Sequence, residues 1–382
     1  MTILWIYNLP LSPEAGGTER ITSLVAKGLS LCGHHCMDIL VFNEHTEMMS
    51  YRSKPIADLY HFLKECKVDV VINQIAYANW LLDAFLNRGG RKWKQEGGRI
   101  ISCLHFDPKN PSFLYLLREK ANKNFVDRIY ILKALVLYKY YKKQQEKNEG
   151  CIYNHIYEES DWFVTLSCTH FAYLYKVMKR NEYNKLVAIN NPLTFDSIST
   201  PEILPEKKRI ALVCARMSEY HKRISIILKT WKLLQKSKLA NNWTLILLGD
   251  GPDLQKYKDY VYVNKIQNVR FEGKQSPEPY YHIASIMLLT SSAEGWGLTI
   301  TESLQRGVVP VVMNSSPVFQ DMIQDKVNGF LTPNNDIKTF KNRVELLMTD
   351  ATVLRNMQLS ALASAKAFNL KNTMIKWNKI IS

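Results

Sequence analysis

The chain has 382 residues, 46% of them hydrophobic and 22% charged, with a formal net charge of +15 at pH 7. That length suits two domains with cores of their own, and the balance excludes a disordered or low-complexity polypeptide. The charge implies an anionic partner, for which nucleic acid, an anionic membrane surface and a phosphorylated substrate all qualify.

The first seven residues read as a strand and lack the basic start, apolar run and cleavage site of a signal peptide. The longest apolar-rich helical candidate, 129–141, is broken by Lys133 and Lys139, so no segment reaches membrane-spanning length. The expected location is the cytoplasm. Seven scattered cysteines, most in apolar surroundings, read as reduced core thiols rather than a disulfide or zinc framework.

Strands are expected at 3–9, 37–42, 68–74, 99–106, 162–167 and 186–190. They are apolar at nearly every position, as strands buried on both faces are. A helix starts near Thr18, with Ile21, Leu24, Val25, Gly28 and Leu29 at helical spacing. Before it, Gly16-Gly17-Thr18-Glu19 reads either as a simple turn or as a loop that lets an anion approach a helix N-terminus. The fingerprint G-x-G-x-x-G is absent, which argues against a dehydrogenase. His105 ends the fourth strand, where it is either a satisfied core histidine or a cleft residue facing a sugar.

Residues 107–160 interrupt the alternation with a basic, tyrosine-rich, partly amphipathic helical insertion. It reads as a solvated face packed on the first domain, as a membrane-surface element or as a nucleic-acid contact.

The second half has strands at 209–214, 244–248, 269–271, 286–289 and 308–313, and helices at 224–235, 253–265, 278–284, 298–306 and 337–348. Such alternation predicts parallel sheets with helices on both faces, hence an α/β chain of two doubly wound units. The seam falls in 191–207, rich in Pro, Ser and Thr. Ligands of such sheets bind outside the carboxyl ends of the strands.

Arg216 and Lys222 follow the first strand of the second half, where a bidentate guanidinium and a mobile ammonium suit a diphosphate; Arg223 is a neighbouring candidate. Glu294 and Glu302 flank a loop with Gly295 and Gly297 that opens a helix at Leu298. Carboxylates accept bonds from sugar hydroxyls, and the helix start between them favours an anion. The pattern suits a nucleotide-diphosphate sugar. No D-x-D occurs, so fixed cations and helix amides, rather than a metal, are expected to neutralise the diphosphate.

With these residues in order, the chain resembles the retaining GT-B glycosyltransferases of family 4. The resemblance rests on Ala215-Arg216-Met217-Ser218, Lys222-Arg223-Ile224, Leu248-Gly249-Asp250-Gly251-Pro252, Val269-Arg270-Phe271-Glu272-Gly273 and the E-x7-E segment from Ser291 to Pro310. Gly16-Gly17-Thr18-Glu19-Arg20 and Asn190-Asn191-Pro192 carry it more thinly in the first half. It departs from the family at Trp296, where Phe is commoner, and in 217–221, which lacks the usual Pro-Glu.

The resemblance implies two Rossmann-like domains facing across a cleft: an acceptor domain at 1–195, a donor domain at 196–365 and a last helix, 366–382, returning to the first. It implies that Arg216 and Lys222 bind the donor diphosphate, Glu294 the transferred sugar and Glu302 the ribose. Amides of Trp296, Gly297, Leu298 and Thr299 would meet sugar and phosphate, Gly16 and Gly17 would close over the diphosphate, and His105 would sit near the reacting sugar. The implied activity is metal-independent, retaining transfer from a nucleotide-sugar substrate to a glycan or lipid-linked acceptor in surface polysaccharide synthesis. No cofactor and no nucleic-acid partner is expected, and the enzyme would be peripheral on the inner face of the cell membrane. The alternative is a non-catalytic nucleotide-sugar- or glycan-binding protein on the same fold.

Overall fold

The computed structural model describes residues 1–10, 16–43, 48–109 and 136–382. They form two compact units: residues 1–192 with 370–382, and residues 193–369.

The first unit is built on an eight-stranded sheet. Its strands are β1 Thr2–Tyr7, β2 His35–Asn43, β3 Met48–Tyr51, β4 Lys54–Pro55, β5 Val70–Asn73, β6 Arg99–Leu104, β7 Trp162–Thr165 and β8 Leu186–Ala188, in the order β4-β3-β2-β1-β5-β6-β7-β8. From β2 to β8 every pairing is parallel. The apolar runs of β1 and β5 are buried throughout their centres because helices cover both faces. The sheet departs from the all-parallel expectation at its edge, where β3 and β4 pair antiparallel. These two strands are short and largely exposed, and their tight turn puts Arg52 and Ser53 at positive φ. A short edge strand needs no apolar run, so it leaves little mark in the sequence.

Helix α1, Gly17–Leu31, covers the sheet with Ile21, Val25 and Leu29. The last helix of the chain, Leu370–Ile381, lies against it; a Cβ on Gly28 would come 2.5 Å from the Met374 sulfur. Trp377 of that helix packs edge-on against Trp5 of β1, with ring centroids 6.5 Å apart.

Of the basic insertion, residues 110–135 lie outside the described residues. Its remainder is a long helix, Tyr138–Glu159. The first turns, with Lys139, Tyr140, Tyr141, Lys142 and Lys143, are exposed, whereas Tyr153, Ile156 and Tyr157 enter the core. No described helix is long and apolar enough to cross a membrane. All seven cysteines are free thiols, but the expectation of core thiols holds for Cys103 alone; Cys32, Cys151 and Cys168 are exposed.

The second unit has six parallel strands: β9 Ile210–Cys214, β10 Thr244–Leu248, β11 Val269–Gly273, β12 Ile286–Leu289, β13 Val309–Asn314 and β14 Phe330–Pro333. Their order is β11-β10-β9-β12-β13-β14, so the direction of winding reverses between β9 and β12. At such a reversal the connections leave to opposite sides and a crevice opens at the carboxyl ends of the two strands. Strand β14 and the helix Ala351–Ala365 are additions to the expected elements.

Candidate functional site

In the second unit the reversal brings the segment after β9 against the segment after β12. Arg216 follows the end of β9 and is exposed. Its neighbour Met217 is fully buried and donates its backbone N–H to the Asp250 carbonyl at 2.9 Å. Gly249, at φ 127°, lies so close to the Ala215 carbonyl that no Cβ fits between them. The Leu248–Pro252 block therefore serves as the backrest of the Arg216 loop.

A short helix, Glu219–Lys222, ends at Arg223 in the left-handed conformation, φ 49°. A strained non-glycine residue persists where its surroundings over-determine it. Arg223 is 8% exposed, and its guanidinium donates from Nε to the Thr290 carbonyl at 2.6 Å, from Nη2 to the Ser291 carbonyl at 2.7 Å and from Nη1 to Asn335 Oδ1 at 2.8 Å. The Thr290 hydroxyl lies 2.9 Å from the Lys222 carbonyl and 3.1 Å from that of Arg223. Arg223 is thus a backbone clamp, and the reading of it as a ligand-binding cation is corrected: its fork is spent on protein acceptors.

The clamp sets the neighbouring side chain. Lys222 Nζ stands 2.5 Å from Glu294 Oε1, with 23% and 16% of the two side chains exposed. Glu294 is held from behind as well, since the Ser316 hydroxyl donates to its carbonyl at 3.2 Å. Gly297 then turns the chain at φ 96°, a conformation glycine adopts without cost, and the helix Leu298–Gln305 begins with no side-chain cap. Its first amides, those of Leu298 and Thr299, have the dipole and the orphan N–H groups that suit an anion. Trp296 is buried beside this turn and packs edge-on against Phe368 at 5.7 Å.

Glu302 lies deeper than its partner. It is 2% exposed, and Oε1 accepts from the Thr194 hydroxyl at 3.0 Å. Tyr281, fully buried, adjoins it; burial first, then the neighbouring Cys214 and Glu302, push the phenol well above its usual range. The structure thus joins Lys222 to Glu294 and sets Glu302 one turn further in, on a hydroxyl-bearing wall.

The first unit presents different chemistry. Gly16 is extended and starts α1, but the carboxylate of Glu19 folds back over it: a Cβ at Gly16 would meet Glu19 Oε2 at 2.5 Å. Glu19 is 7% exposed and accepts from the Tyr7 hydroxyl at 3.3 Å. Burial, reinforced by this carboxylate, raises the Tyr7 phenol. This helix start, open in sequence to reading as a simple turn or as an anion site, therefore has an acidic group of its own beside it.

His105 follows β6, and its Nε2 hydrogen-bonds Gln74 Oε1; Gln74 is 2% exposed, and the Thr22 hydroxyl lies 3.3 Å from the same oxygen. Burial pushes His105 down to about 4, so the ring is neutral near pH 7. It lines a cavity of about 20 Å³ with Trp5, Thr22, Gln74, Cys103 and Trp377 among the walls. That is room for about one water. Gln74 was not among the expected site residues, although the polar pair Asn73-Gln74 closing an apolar strand marks a carboxyl end. His170, fully interior and also pushed down to about 4 by burial, left no signal in the sequence.

Residues 195–362 match the family model described as "Glycosyl transferases group 1". Among curated relatives, an "Uncharacterized glycosyltransferase" of Haemophilus influenzae is 24% identical over 200 residues, 52% of this chain and 55% of the relative. A Campylobacter jejuni enzyme named as an α-1,4-N-acetyl-D-galactosaminyltransferase acting on a diNAcBac-PP-undecaprenol-linked glycan is 24% identical over 208 residues, 54% of this chain and 57% of the relative. The chain thus spans a little over half the length of these two relatives. The Anabaena protein HepE, solved in complex with UDP, superposes with a TM-score of 0.69 over 99% of both chains at 14% identity. The second unit therefore carries a glycosyltransferase group 1 domain, and the fold is GT-B.

Two outcomes are expected from this geometry. Arg223→Met strands the carbonyls of Thr290 and Ser291 and lowers stability in urea unfolding by about 1–3 kcal/mol, whereas Arg216→Met, at an exposed position, stays within about 0.5 kcal/mol of the parent. The second concerns acid. His105 and His170 titrate near 4 when folded, against 6.5 for a free imidazole, so the unfolded chain takes up protons that the folded one refuses. Their contribution is complete above pH 6.5 and is lost as the pH falls from there toward 4. The urea midpoint should drop between pH 7 and pH 5, and less steeply in His170→Leu.

Proposed function

We propose that this glycosyltransferase group 1 domain on a GT-B fold works as a retaining, metal-independent transferase, moving a sugar from a nucleotide-diphosphate donor to a glycan or lipid-linked acceptor. The observation that carries the reading is the 2.5 Å pair of Lys222 and Glu294, standing beside an uncapped helix N-terminus where the winding of the sheet reverses. Phosphate oxygens find Lys222, the exposed Arg216 and the amides of Leu298 and Thr299 there. A sugar hydroxyl finds the Glu294 carboxylate, and ribose hydroxyls find Glu302 once it exchanges Thr194 for the ligand.

Glu294 is a poor nucleophile in this setting, because an ammonium group shares its oxygen. The acceptor hydroxyl attacks the anomeric carbon from the face the diphosphate leaves. The new bond runs from the acceptor oxygen to that carbon, the bond from carbon to phosphate oxygen breaks, and the acceptor proton passes to the departing phosphate. Lys222, Arg216 and the helix end stabilise the charge that builds on that phosphate, which is electrostatic catalysis by groups already in place. His105 is kept in this reading as a neutral hydrogen-bonding group of the first unit, while the Glu19 carboxylate folded over Gly16 opposes the close approach of a diphosphate that the resemblance implies for Gly16 and Gly17.

The acceptor side follows from charge. Lys139, Lys142 and Lys143 alternate with the exposed rings of Tyr140 and Tyr141 on one helix, a composition suited to an anionic lipid surface. The reading places the protein on the inner face of the cell membrane, building a surface polysaccharide, in line with the undecaprenol-linked substrate named for the Campylobacter relative.

Two experiments test this. With a panel of UDP, GDP and ADP sugars, Glu294→Gln and Lys222→Ala should each cut transfer by about a hundredfold or more, EDTA should leave the parent rate unchanged, and proton NMR of the product should show the donor's anomeric configuration. Nucleotide-sugar binding without turnover in any pairing favours the non-catalytic alternative. For the surface, the protein should float with vesicles containing anionic lipid at low salt and be released at high salt; replacing Lys139, Lys142 and Lys143 with Glu should abolish flotation. Equal flotation of parent and triple variant would sink the lipid reading.

A further inference from the structure

Glu302, Gln305 and Arg306 stand at i, i+3 and i+4 along the helix Leu298–Gln305 and its end, so they share one face. All three hold the same stretch of chain, residues 194–199, which belongs to the second unit and to no helix or strand. Gln305 accepts from the Phe195 N–H at 3.3 Å and donates from Nε2 to the carbonyls of Phe195 at 2.6 Å and Ser197 at 2.9 Å. Arg306, 3% exposed, donates from Nη1 to the Ser197 carbonyl at 2.5 Å, and its guanidinium lies 4.8 Å from the centre of the Phe195 ring. The Ser199 N–H donates to the Gln305 carbonyl at 3.0 Å. From Phe195 onward the stretch is therefore fastened through its backbone. Thr194 is fastened at its side chain, whose hydroxyl donates to Glu302 Oε1 at 3.0 Å.

That bond is the chemistry a ribose brings. The Thr194 hydroxyl is a secondary alcohol, as are the 2′- and 3′-hydroxyls of ribose, and an ionised carboxylate accepts from either. Glu302 is 2% exposed while Thr194 is half-buried, so the carboxylate has almost no surface left for a second alcohol. The other hydroxyl beside it is fixed: Tyr281 is fully buried, and its hydroxyl donates to the Thr299 carbonyl at 3.2 Å. Of these two neighbours, Thr194 is the one that can leave at the loss of a single side-chain bond, and its hydroxyl then finds water.

We propose that Thr194 is an intramolecular competitor for ribose: its hydroxyl holds Glu302 as a ribose hydroxyl would, and a nucleotide takes the carboxylate only by displacing it. The proposal rests on the donor reading of Glu302. It goes further in making Thr194 the residue that sets how tightly the ribose hydroxyls are held. Displacement stays local, because Gln305 and Arg306 keep their hold from Phe195 onward. The sign of the effect is the reverse of that expected for a polar residue that binds ligand, since removing Thr194 strengthens binding.

Calorimetry with UDP, GDP and ADP, each beside its 2′,3′-dideoxy counterpart, tests this. For whichever nucleotide the parent protein binds, Thr194→Val should lower Kd about three- to tenfold, the range of one net hydrogen bond. Thr194→Ser keeps the hydroxyl and should stay within about twofold of the parent. The dideoxy nucleotide should bind parent and Thr194→Val alike, and in a Glu302→Ala background the valine should bring no gain. Methyl NMR of threonine-labelled parent protein needs no variant: the Thr194 methyl should shift with the ribonucleotide and stay in place with the dideoxy form.

Weaker binding by Thr194→Val would overturn the proposal, since Thr194 would then be holding Glu302 ready for the ribose. Equal tightening toward ribo- and dideoxynucleotides, or a Thr194 methyl that ignores the ribonucleotide, would do the same and leave the donor reading standing. A parent protein that binds no nucleotide of the panel sinks the donor reading, and the competitor role with it.

Discussion

The buried guanidinium of Arg223 is the constraint on which the second unit's site depends. Strands β9 and β12 pair over little of their length, Ile286 with Ala211 and Met287 with Leu212, and beyond that register their continuations diverge. Two diverging segments have no reason to present Lys222 and Glu294 within 2.5 Å of each other. Arg223 supplies the reason. Its rigid fork reaches from one segment to two consecutive carbonyls of the other, and its own left-handed backbone makes Lys222 the last residue before the turn. A lysine could not substitute, since a point charge on a flexible stem cannot fix two carbonyls and an amide oxygen at once. The price is a strained φ, which three charge-assisted bonds in a buried setting offset.

Much of this architecture is legible in the sequence because strands buried on both faces must be apolar at consecutive positions. The runs in β1, β5, β9, β10 and β12 announce themselves, and the helices between them carry the spacing of one buried face. What escaped follows the same logic. β3 and β4 sit at an edge where burial asks little of them, and β14 has only two buried positions among its four residues. The exposed cysteines escaped because sequence neighbours report apolar surroundings only when the local element is interior; Cys32 and Cys168 flank helix ends instead.

The site was legible in part, and the division is physical. Glu294, Gly297 and the helix start are local in sequence, so their association needed no tertiary information. Arg216, Lys222 and Arg223 lie within eight residues, and composition gives no means of telling a ligand-facing cation from a structural one. Only burial separates them: Arg216 is exposed, Lys222 is intermediate and Arg223 is interior. Glu302 shows the same limit in reverse. Its spacing from Glu294 was visible, while its depth, and the hydroxyls of Thr194 and Tyr281 around it, come from segments far along the chain. Gln74 was hidden because an amide has no charge to draw notice, and its meaning arises only when His105, a strand away, turns toward it.

The two units, each taken by itself, arrange their polar groups by opposite means. The second gathers charge: an ammonium, a carboxylate and a helix end, with Arg216 in water close by. The first removes it. There the imidazole is neutral and the phenol of Tyr7 and the thiol of Cys103 are kept protonated, with the buried carboxylate of Glu19 as the exception. A charged group buried without a partner is costly, whereas a neutral donor or acceptor of fixed direction is cheap to keep dry. The proposed diphosphate chemistry would call for the charged kind of surface, because charge moves during the reaction. A chain that places these two environments on separate sheets can tune one without disturbing the other.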